Sequence, residues 1–251
     1  MSLKDNVYLV TGASRGIGAS IAEELLENGS KVILHFNTSE MAAATLAEKF
    51  GQKKCIKVRA NLELRDEIDS LWSKALEWQG RVDGIINNAA LMIDSEPQEN
   101  LDIWRRDWDR TLAVNVQAVA DLCRHAILHF QSVGGGSIVN IASRAGFRGD
   151  LTDSMHYAAS KGAVVALTRS IAKGYALENI LAYIVAPGWV ATERVLPKLN
   201  APENETSISE IPMGKPAPPS EIANIVAFLL DGKARHATGS TIDINGASYF
   251  H

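Results

Sequence analysis

Hydrophobic residues along the chain fall into short, nearly continuous runs separated by longer segments with a helical period. Unbroken runs are typical of strands that helices cover on both faces, because an exposed face would produce alternation. Seven strands are predicted, over residues 7–10, 32–36, 55–58, 82–86, 137–141, 181–185 and 241–244. The alternation of strands and helices predicts an α/β fold, with a doubly wound, parallel seven-stranded sheet and helices on both of its faces.

The segments between the strands repeat apolar residues every three or four positions, which is the spacing of one helix face. Ile17, Ile21 and Leu25 form such a stripe, and their helix is expected to end at Asn28-Gly29. Further helices are predicted over residues 39–50, 65–79, about 103–131, about 154–178 and 220–230.

At 251 residues, with 46% hydrophobic side chains, the chain has the size and composition of a single α/β domain, 1–251. Residues at about 190–219 lack a regular period and are expected to form a lid over a substrate. A net charge of −4 argues against nucleic acid or an anionic membrane as a partner. Two cysteines and no signal-peptide pattern predict a cytoplasmic protein.

Three glycines, Gly12, Gly16 and Gly18, stand between the first predicted strand and the first predicted helix. Glycines there permit a tight turn, close approach of a pyrophosphate, and close packing of the helix on the strand. The unpaired N–H groups at the start of the helix also attract phosphate. A glycine-rich turn alone can be purely structural, but its place between a strand and an amphipathic helix predicts a Rossmann-type dinucleotide site.

Tyr157 and Lys161 lie four residues apart in a segment of strong helical period, so their side chains project from one face. Reduction of a carbonyl needs a hydride donor and a proton donor that meet at one C=O group. A tyrosine can donate that proton, and a neighbouring ammonium is expected to lower its pKa. Such a pair alone usually marks a core tyrosine beside a surface lysine, so it gains meaning only together with the dinucleotide site.

These features occur together in the short-chain dehydrogenase/reductases, and the chain resembles the compact single-domain branch of that family over essentially its whole length. The glycine loop, the letters N-N-A-A at residues 87–90 and the order of four polar residues carry the resemblance. The resemblance identifies those four as the catalytic set, namely Asn115, Ser143, Tyr157 and Lys161. It implies that Ser143 donates a hydrogen bond to the substrate oxygen. It also implies that Asn115 holds a water linking Lys161 to solvent.

The resemblance also implies where a nicotinamide cofactor binds. Pro187-Gly188 and Thr192 resemble the loop that holds the nicotinamide carboxamide, and Asn61 stands where the family commonly has an aspartate for the adenine amine. The expected cofactor contacts are Gly12, Ser14, Arg15, Gly16, Ile17, Gly18, Asn37, Thr38, Asn61, Leu62, Asn88, Ala89, Tyr157, Lys161, Pro187, Gly188, Val190 and Thr192.

The end of the second predicted strand indicates which cofactor is used. A carboxylate there would bind the ribose 2′-OH of NAD(H) and repel the 2′-phosphate of NADP(H). No acidic residue occurs before Glu40, whereas Arg15, Asn37 and Thr38 could bind a 2′-phosphate. NADP(H) is therefore favoured, and NAD(H) stays possible.

The implied function is that of an oxidoreductase that transfers a hydride between NADP(H) and a ketone or secondary alcohol. A 3-oxoacyl thioester is the first substrate class implied, while sugar, polyol, steroid-like and xenobiotic carbonyls stay open. A non-catalytic dinucleotide-binding sensor or scaffold is the alternative, although it would have no physical reason to keep Ser143, Tyr157 and Lys161 together. The family commonly assembles through two long helices, which implies a homotetramer, with a dimer possible.

Two local features bear on the substrate side of the site. The spacing from Ser143 to Tyr157 is one residue longer than the commonest family spacing, so residues 146–154 are expected to bulge. Arg144 and Arg148, in the same region, could attract an acidic partner or be solvated loop charges. The histidines show no metal-ligand spacing, and no metal site is expected.

Overall fold

The computed structural model describes residues 3–199 and 208–251 and contains a parallel seven-stranded sheet. The strands are β1 Val7–Val10, β2 Lys31–Phe36, β3 Cys55–Arg59, β4 Gly84–Asn87, β5 Gly136–Ile141, β6 Ile180–Pro187 and β7 Thr241–Ile244. Their spatial order in the sheet is β3-β2-β1-β4-β5-β6-β7, so the direction of winding reverses between β1 and β4. The predicted fold class is confirmed, and in such sheets ligands bind beyond the carboxyl ends of the strands at the reversal.

The inner strands are buried on both faces, which explains their nearly unbroken apolar runs, whereas the edge strands β3 and β7 are partly exposed. Leu9 belongs to the apolar cluster on one face, whereas the next residue, Val10, belongs to the cluster on the other. Ile33 and Leu34 divide in the same way, and all four side chains are fully buried. Each buried aliphatic side chain of this size stabilises the fold by roughly 1.5–3 kcal/mol.

Helices occupy both faces of the sheet. They are α1 Gly16–Glu27, α2 Glu40–Phe50, α3 Arg65–Gln79, α4 Leu101–Leu112, α5 Ala118–Val133, α6 Ala145–Arg148, α7 Met155–Tyr175, α8 Leu196–Leu199 and α9 Pro219–Leu230. The apolar cluster on one face includes residues of α1 and α9, and the cluster on the other includes residues of α3, α5 and α7. In the described ranges, no helix is both long and apolar enough to cross a membrane.

Several predicted boundaries differ from the structure. β4 begins at Gly84 and not at residue 82, because the Val82 N–H donates to His129 Nε2 (3.2 Å) rather than to a strand. The long helix predicted over about 103–131 begins earlier, where the Asn100 side chain accepts from Asp102 N at 2.9 Å. A π turn over Ala113–Gln117 interrupts that helix.

Candidate active site

The glycine-rich turn after β1 has a geometry that other residues would not tolerate. Gly12 and Gly16 have φ values of 65° and 53°, in the left-handed region. A Cβ atom on Gly18 would collide with the Gly12 carbonyl oxygen and with the Asn88 side-chain amide. The N-terminus of α1 therefore packs directly on the turn, which leaves a cradle for a pyrophosphate.

The loops after β1 and β4 are hydrogen-bonded to each other. Thr11 Oγ1 accepts from the backbone N–H groups of Asn88 (2.9 Å) and Ala89 (3.0 Å). In return, Asn88 Nδ2 donates to the carbonyl oxygens of Thr11 (2.9 Å) and Gly12 (3.2 Å). The amide of Asn88, predicted to contact the cofactor, thus shapes the turn. Thr11 stands within the predicted motif, but its connecting role required knowing which strands are neighbours.

His35 supports the glycine turn from beneath, a role that sequence reasoning missed. Its Nδ1 accepts from Gly12 N at 3.1 Å, and its Nε2 lies 3.0 Å from Ala60 O. The only tautomer that serves both contacts is the neutral ring with its proton on Nε2. Burial lowers the pKa of His35 to about 4, so the ring remains neutral. No local pattern distinguishes such a histidine from an ordinary buried one.

Polar groups surround the predicted position of a 2′-phosphate. Arg15 immediately precedes α1 and is exposed, and Asn37 and Thr38 follow β2 with exposed side chains. Arg59, at the end of β3, donates from Nε to Asn37 O at 3.2 Å. Arg59 was missed, although the parallel register of β2 and β3 places it beside Phe36, one residue before Asn37.

Asn61 is positioned by the turn that follows β3. Its Oδ1 accepts from Glu63 N at 3.1 Å, and its backbone N–H donates to Glu67 Oε2 at 2.7 Å. An adenine amine would therefore share Oδ1 with the Glu63 N–H, since a carbonyl oxygen has two lone pairs.

Tyr157 and Lys161 lie on α7, with the Lys161 Nζ 5.7 Å from the centre of the Tyr157 ring. Lys161 is buried and donates to Ile141 O at 2.8 Å, and burial lowers its pKa to about 8. Burial raises the pKa of Tyr157, while a hydrogen bond from Ser143 acts in the opposite direction. The expected lowering of the Tyr157 pKa is not observed, because desolvation of the phenol outweighs the influences that favour the phenolate.

Ser143 follows β5 and faces the phenol of Tyr157. Its Oγ accepts from Ala145 N at 3.1 Å, which leaves the hydroxyl proton for an oxygen between the two side chains. The extra residue before Tyr157 falls in a segment that contains α6 and the 3₁₀ turn Thr152–Ser154. A Cβ atom on Gly146 would lie 2.8 Å from the Lys161 carbonyl carbon, so α6 packs against the backbone of α7.

Asn115 lies within the π turn, fully buried. Its Oδ1 accepts from Leu91 N (2.7 Å), and its Nδ2 donates to Leu91 O (2.9 Å) and Ser160 Oγ (3.0 Å). Both amide protons are used, so a water held by Asn115 would have to bind the backbone carbonyl or the second lone pair of Oδ1. Single-turn π bulges occur frequently at functional sites, but no sequence pattern indicated this one.

A buried polar chain connects the sheet to α7 behind the catalytic residues. Asn87 Nδ2 donates to Asn140 Oδ1 at 2.8 Å, and Asn140 Nδ2 donates to Thr168 Oγ1 at 2.8 Å. All three residues are nearly inaccessible to solvent. These hydrogen bonds link α7 to β4 and β5, although Asn87 Oδ1 has no partner among the described residues.

The loop after β6 contains the residues predicted to hold the nicotinamide carboxamide, and it reaches the glycine turn. Gly188 N donates to Ile244 O at 2.9 Å, and a Cβ atom on Gly188 would lie 2.8 Å from the Cβ of Asn245. Thr192 Cγ2 is 3.0 Å from the position that a Cβ on Gly16 would take. Pro187 ends β6, and Val190 forms a parallel bridge with Ala217. The described part of the predicted lid therefore begins beside the cofactor turn, while residues 200–207 lie outside the described residues.

No group of three or more His, Cys, Asp or Glu side chains within residues 3–199 and 208–251 is arranged to hold a metal ion. His156, next to Tyr157 in the sequence, is fully buried and packs 5.9 Å from the Trp108 ring. It therefore faces the interface of α4 and α7, as its position one residue before Tyr157 on the helix predicts.

Together the sheet order, the glycine cradle at the reversal of winding and the paired Ser143 and Tyr157 hydroxyls define a dinucleotide-binding oxidoreductase of the α/β class. The chain belongs to the short-chain dehydrogenase/reductase family. A family model described as enoyl-(acyl carrier protein) reductase matches residues 12–247. Members of this family use a nicotinamide cofactor, and the protein is an NAD(P)-dependent oxidoreductase acting on a carbonyl or hydroxyl group.

Relatives of known activity resemble the chain over almost its entire length. The 3-oxoacyl-[acyl-carrier-protein] reductase FabG of Aquifex aeolicus is 32% identical, with 99% of both chains covered. The FabG of Staphylococcus aureus is 31% identical over 96% of this chain and 97% of the relative. The crystal structure of 3-ketoacyl-(acyl-carrier-protein) reductase from Brucella melitensis complexed with NADH superposes with a TM-score of 0.88 at 28% identity, covering 99% of this chain and 100% of that one.

Proposed function

We propose that this protein reduces a ketone to a secondary alcohol with NADPH, and that a 3-oxoacyl thioester is the first substrate class to test. The observation that carries the proposal is the pairing of two hydroxyl donors, Ser143 and Tyr157, beside a buried lysine. The names of the relatives, which reduce 3-oxoacyl groups on a carrier protein, support the thioester.

The proposed mechanism uses the hydroxyl pair to hold the carbonyl oxygen. Nicotinamide, when bound, supplies or accepts the hydride at the carbonyl carbon. Ser143 donates a hydrogen bond to the oxygen as negative charge develops, and Tyr157 donates the proton that completes the alcohol. A raised pKa keeps Tyr157 protonated near neutral pH, which suits a general acid in the direction of reduction.

Lys161 then stabilises the phenolate. With a pKa of about 8, it is still mostly charged near neutral pH. Its ammonium lies close enough to the Tyr157 ring to favour the phenolate once the proton has left. After the transfer, Tyr157 must regain a proton from solvent. We propose that this proton arrives through a water bound near the backbone of Asn115, in the π turn.

We further propose that the cofactor is NADP(H). The glycine cradle fits a dinucleotide pyrophosphate, and two cations suit a 2′-phosphate: Arg15, in the glycine loop, and Arg59, which contacts Asn37. The Brucella neighbour binds NADH in its crystal, so measured affinities for both cofactors decide this point.

The whole chain is proposed to act as one catalytic domain with a lid at about 190–219, in a homotetramer. Light scattering after gel filtration tests the assembly.

The Tyr157→Phe variant tests the reaction directly. We expect kcat/KM for acetoacetyl thioester reduction to fall by about 10²–10⁴-fold, the usual contribution of a general acid. The dissociation constant for NADPH should stay within about twofold, because ring size is conserved. Tyr175→Phe, at the far end of the same helix, is the matched control. A Tyr157→Phe enzyme that matches the wild-type rate would exclude this mechanism.

A further inference from the structure

Two arginines share one carboxylate beside the proposed catalytic serine. Arg144 immediately follows Ser143, and Arg148 lies one helical turn further along α6. An Nη atom of each guanidinium lies 3.5 Å from the same atom, Glu210 Oε2. Glu210 belongs to the lid, and its side chain is 51% exposed, whereas the Arg144 side chain is only 6% exposed.

The positive charge of Arg144 is poorly compensated. Its Nη1 donates to the neutral hydroxyl of Ser248 at 2.5 Å, and its guanidinium lies 5.9 Å from the centre of the Trp189 ring. Burial lowers the pKa of Arg144, and the like charge of Arg148 adds to that effect, while Glu210 and Asp150 oppose it. A buried cation normally has a close, charge-assisted partner at about 2.7–2.9 Å.

The surroundings of Arg144 place it on the substrate side of the site. Its backbone N–H donates to Pro187 O at 3.0 Å, on the strand end that leads into the nicotinamide loop. Trp189, which its guanidinium approaches, is in that loop, and Glu210 is in the lid. The expected pyrophosphate position lies instead at the glycine turn after β1, so a cofactor phosphate does not explain this pair of arginines.

We propose that Arg144 and Arg148 form a subsite for an oxyanion carried by the carbonyl substrate, and that Glu210 is an internal occupant which this oxyanion displaces. The inference rests on the proposed carbonyl reduction and specifies its substrate class. A planar guanidinium matches carboxylate and phosphate oxygens in paired geometry. The oxyanion is either a carboxylate on the acyl part or a phosphate of the thioester carrier.

Two variants change the charge of the subsite in opposite directions. Arg148→Gln removes the more exposed guanidinium, and Glu210→Gln removes the competing carboxylate while keeping its shape. Lys53→Gln, an exposed cation on the loop before β3 at the opposite edge of the sheet, controls for net charge. Each protein is assayed with NADPH on acetoacetate against methyl acetoacetate, and on acetoacetyl-coenzyme A against the uncharged N-acetylcysteamine thioester.

The measured quantity is the ratio of kcat/KM for the charged substrate to that for its neutral analogue. We expect Arg148→Gln to lower this ratio by about tenfold and Glu210→Gln to raise it about threefold, with Lys53→Gln unchanged. An effect on the acetoacetate pair assigns the oxyanion to the acyl part, and an effect on the thioester pair assigns it to the carrier. Unchanged ratios in both pairs would overturn the inference.

A binding measurement separates this inference from the proposed function. Calorimetric titration of the NADPH-loaded enzyme with 3-hydroxybutyrate and with its methyl ester reports recognition without turnover, because NADPH cannot accept a hydride from the alcohol. If no ketone is reduced but 3-hydroxybutyrate still binds in an Arg148-dependent manner, the reaction assignment fails and the subsite stands. If neutral ketones are reduced and neither the kinetic ratios nor binding depend on Arg148, a purely structural contact explains the arginines.

Discussion

The Nζ of Lys161 lies 5.7 Å from the centre of the Tyr157 ring, and both side chains are set by α7. Lys161 is 3% exposed, and its ammonium donates to the Ile141 carbonyl, a neutral group. Desolvation therefore lowers its pKa to about 8. While Lys161 is protonated, its buried charge destabilises the folded chain. Its contribution to the free energy of unfolding therefore changes with pH and can be measured.

We predict that the free energy of unfolding contains a component that rises between about pH 8 and pH 10.4. In that window the unfolded lysine keeps a proton that the folded one has lost, so stability increases with pH, by up to about 3 kcal/mol. Lys161→Met removes this component. Urea unfolding of both proteins at several pH values measures it, with Lys173→Met on the exposed side of α7 as control. Parallel pH curves for wild type and Lys161→Met would contradict the prediction.

His35 gives a pH dependence of the same sign in the acid range, because its pKa is also lower in the folded state. Its folded pKa of about 4 lies below the unfolded value of about 6.5. The contribution of His35 to the free energy of unfolding is therefore fully present above pH 6.5 and is lost as the pH falls towards 4. The loss is at most about 3 kcal/mol. His35→Leu should abolish this component, and His236→Leu, at an exposed histidine, should not.

His35→Leu should also weaken cofactor binding, because the Gly12 N–H loses its acceptor. We expect the dissociation constant for NADPH to increase about fivefold or more, as for the loss of one buried hydrogen bond. His35→Gln, whose amide oxygen can accept from the same N–H, should recover part of the affinity. Equal affinities for wild type and His35→Leu would show that the contact does not position the turn.

Gly18→Ala should damage both stability and cofactor binding. The added methyl group meets the Gly12 carbonyl and the Asn88 amide, and neither can retreat without breaking the contacts between the loops. We expect a loss of about 2 kcal/mol or more in stability, together with loss of NADPH binding. Gly174→Ala is the matched control, since a Cβ there meets no atom within 4 Å and should stabilise α7 by about 0.5–1 kcal/mol. Thermal unfolding and fluorescence titration report the two effects.

The fold could be predicted because burial on both faces makes the inner strands nearly unbroken apolar runs, as at Leu9 and Val10. The chemistry of the site could be predicted from the sequence only in part. The hydrogen bonds between Thr11 and Asn88 join residues 77 positions apart, and no local pattern encodes them. The direction of the Tyr157 pKa depends on how much solvent the packed protein removes, which the spacing of Tyr157 and Lys161 does not reveal.

If the protein uses NADPH as proposed, charges before α1 and at the ends of β2 and β3 set its choice of cofactor. Arg15→Ala and Arg59→Ala should each weaken NADPH binding by about five- to tenfold and leave NADH within about twofold, since only NADPH carries a 2′-phosphate. Asn37→Asp should reverse the preference, because a carboxylate there repels the phosphate and accepts from the ribose hydroxyl. Lys53→Ala controls for net charge. Tighter binding of NADH than of NADPH by the wild-type protein would contradict the proposed cofactor, because the arginines would then lack a 2′-phosphate to bind.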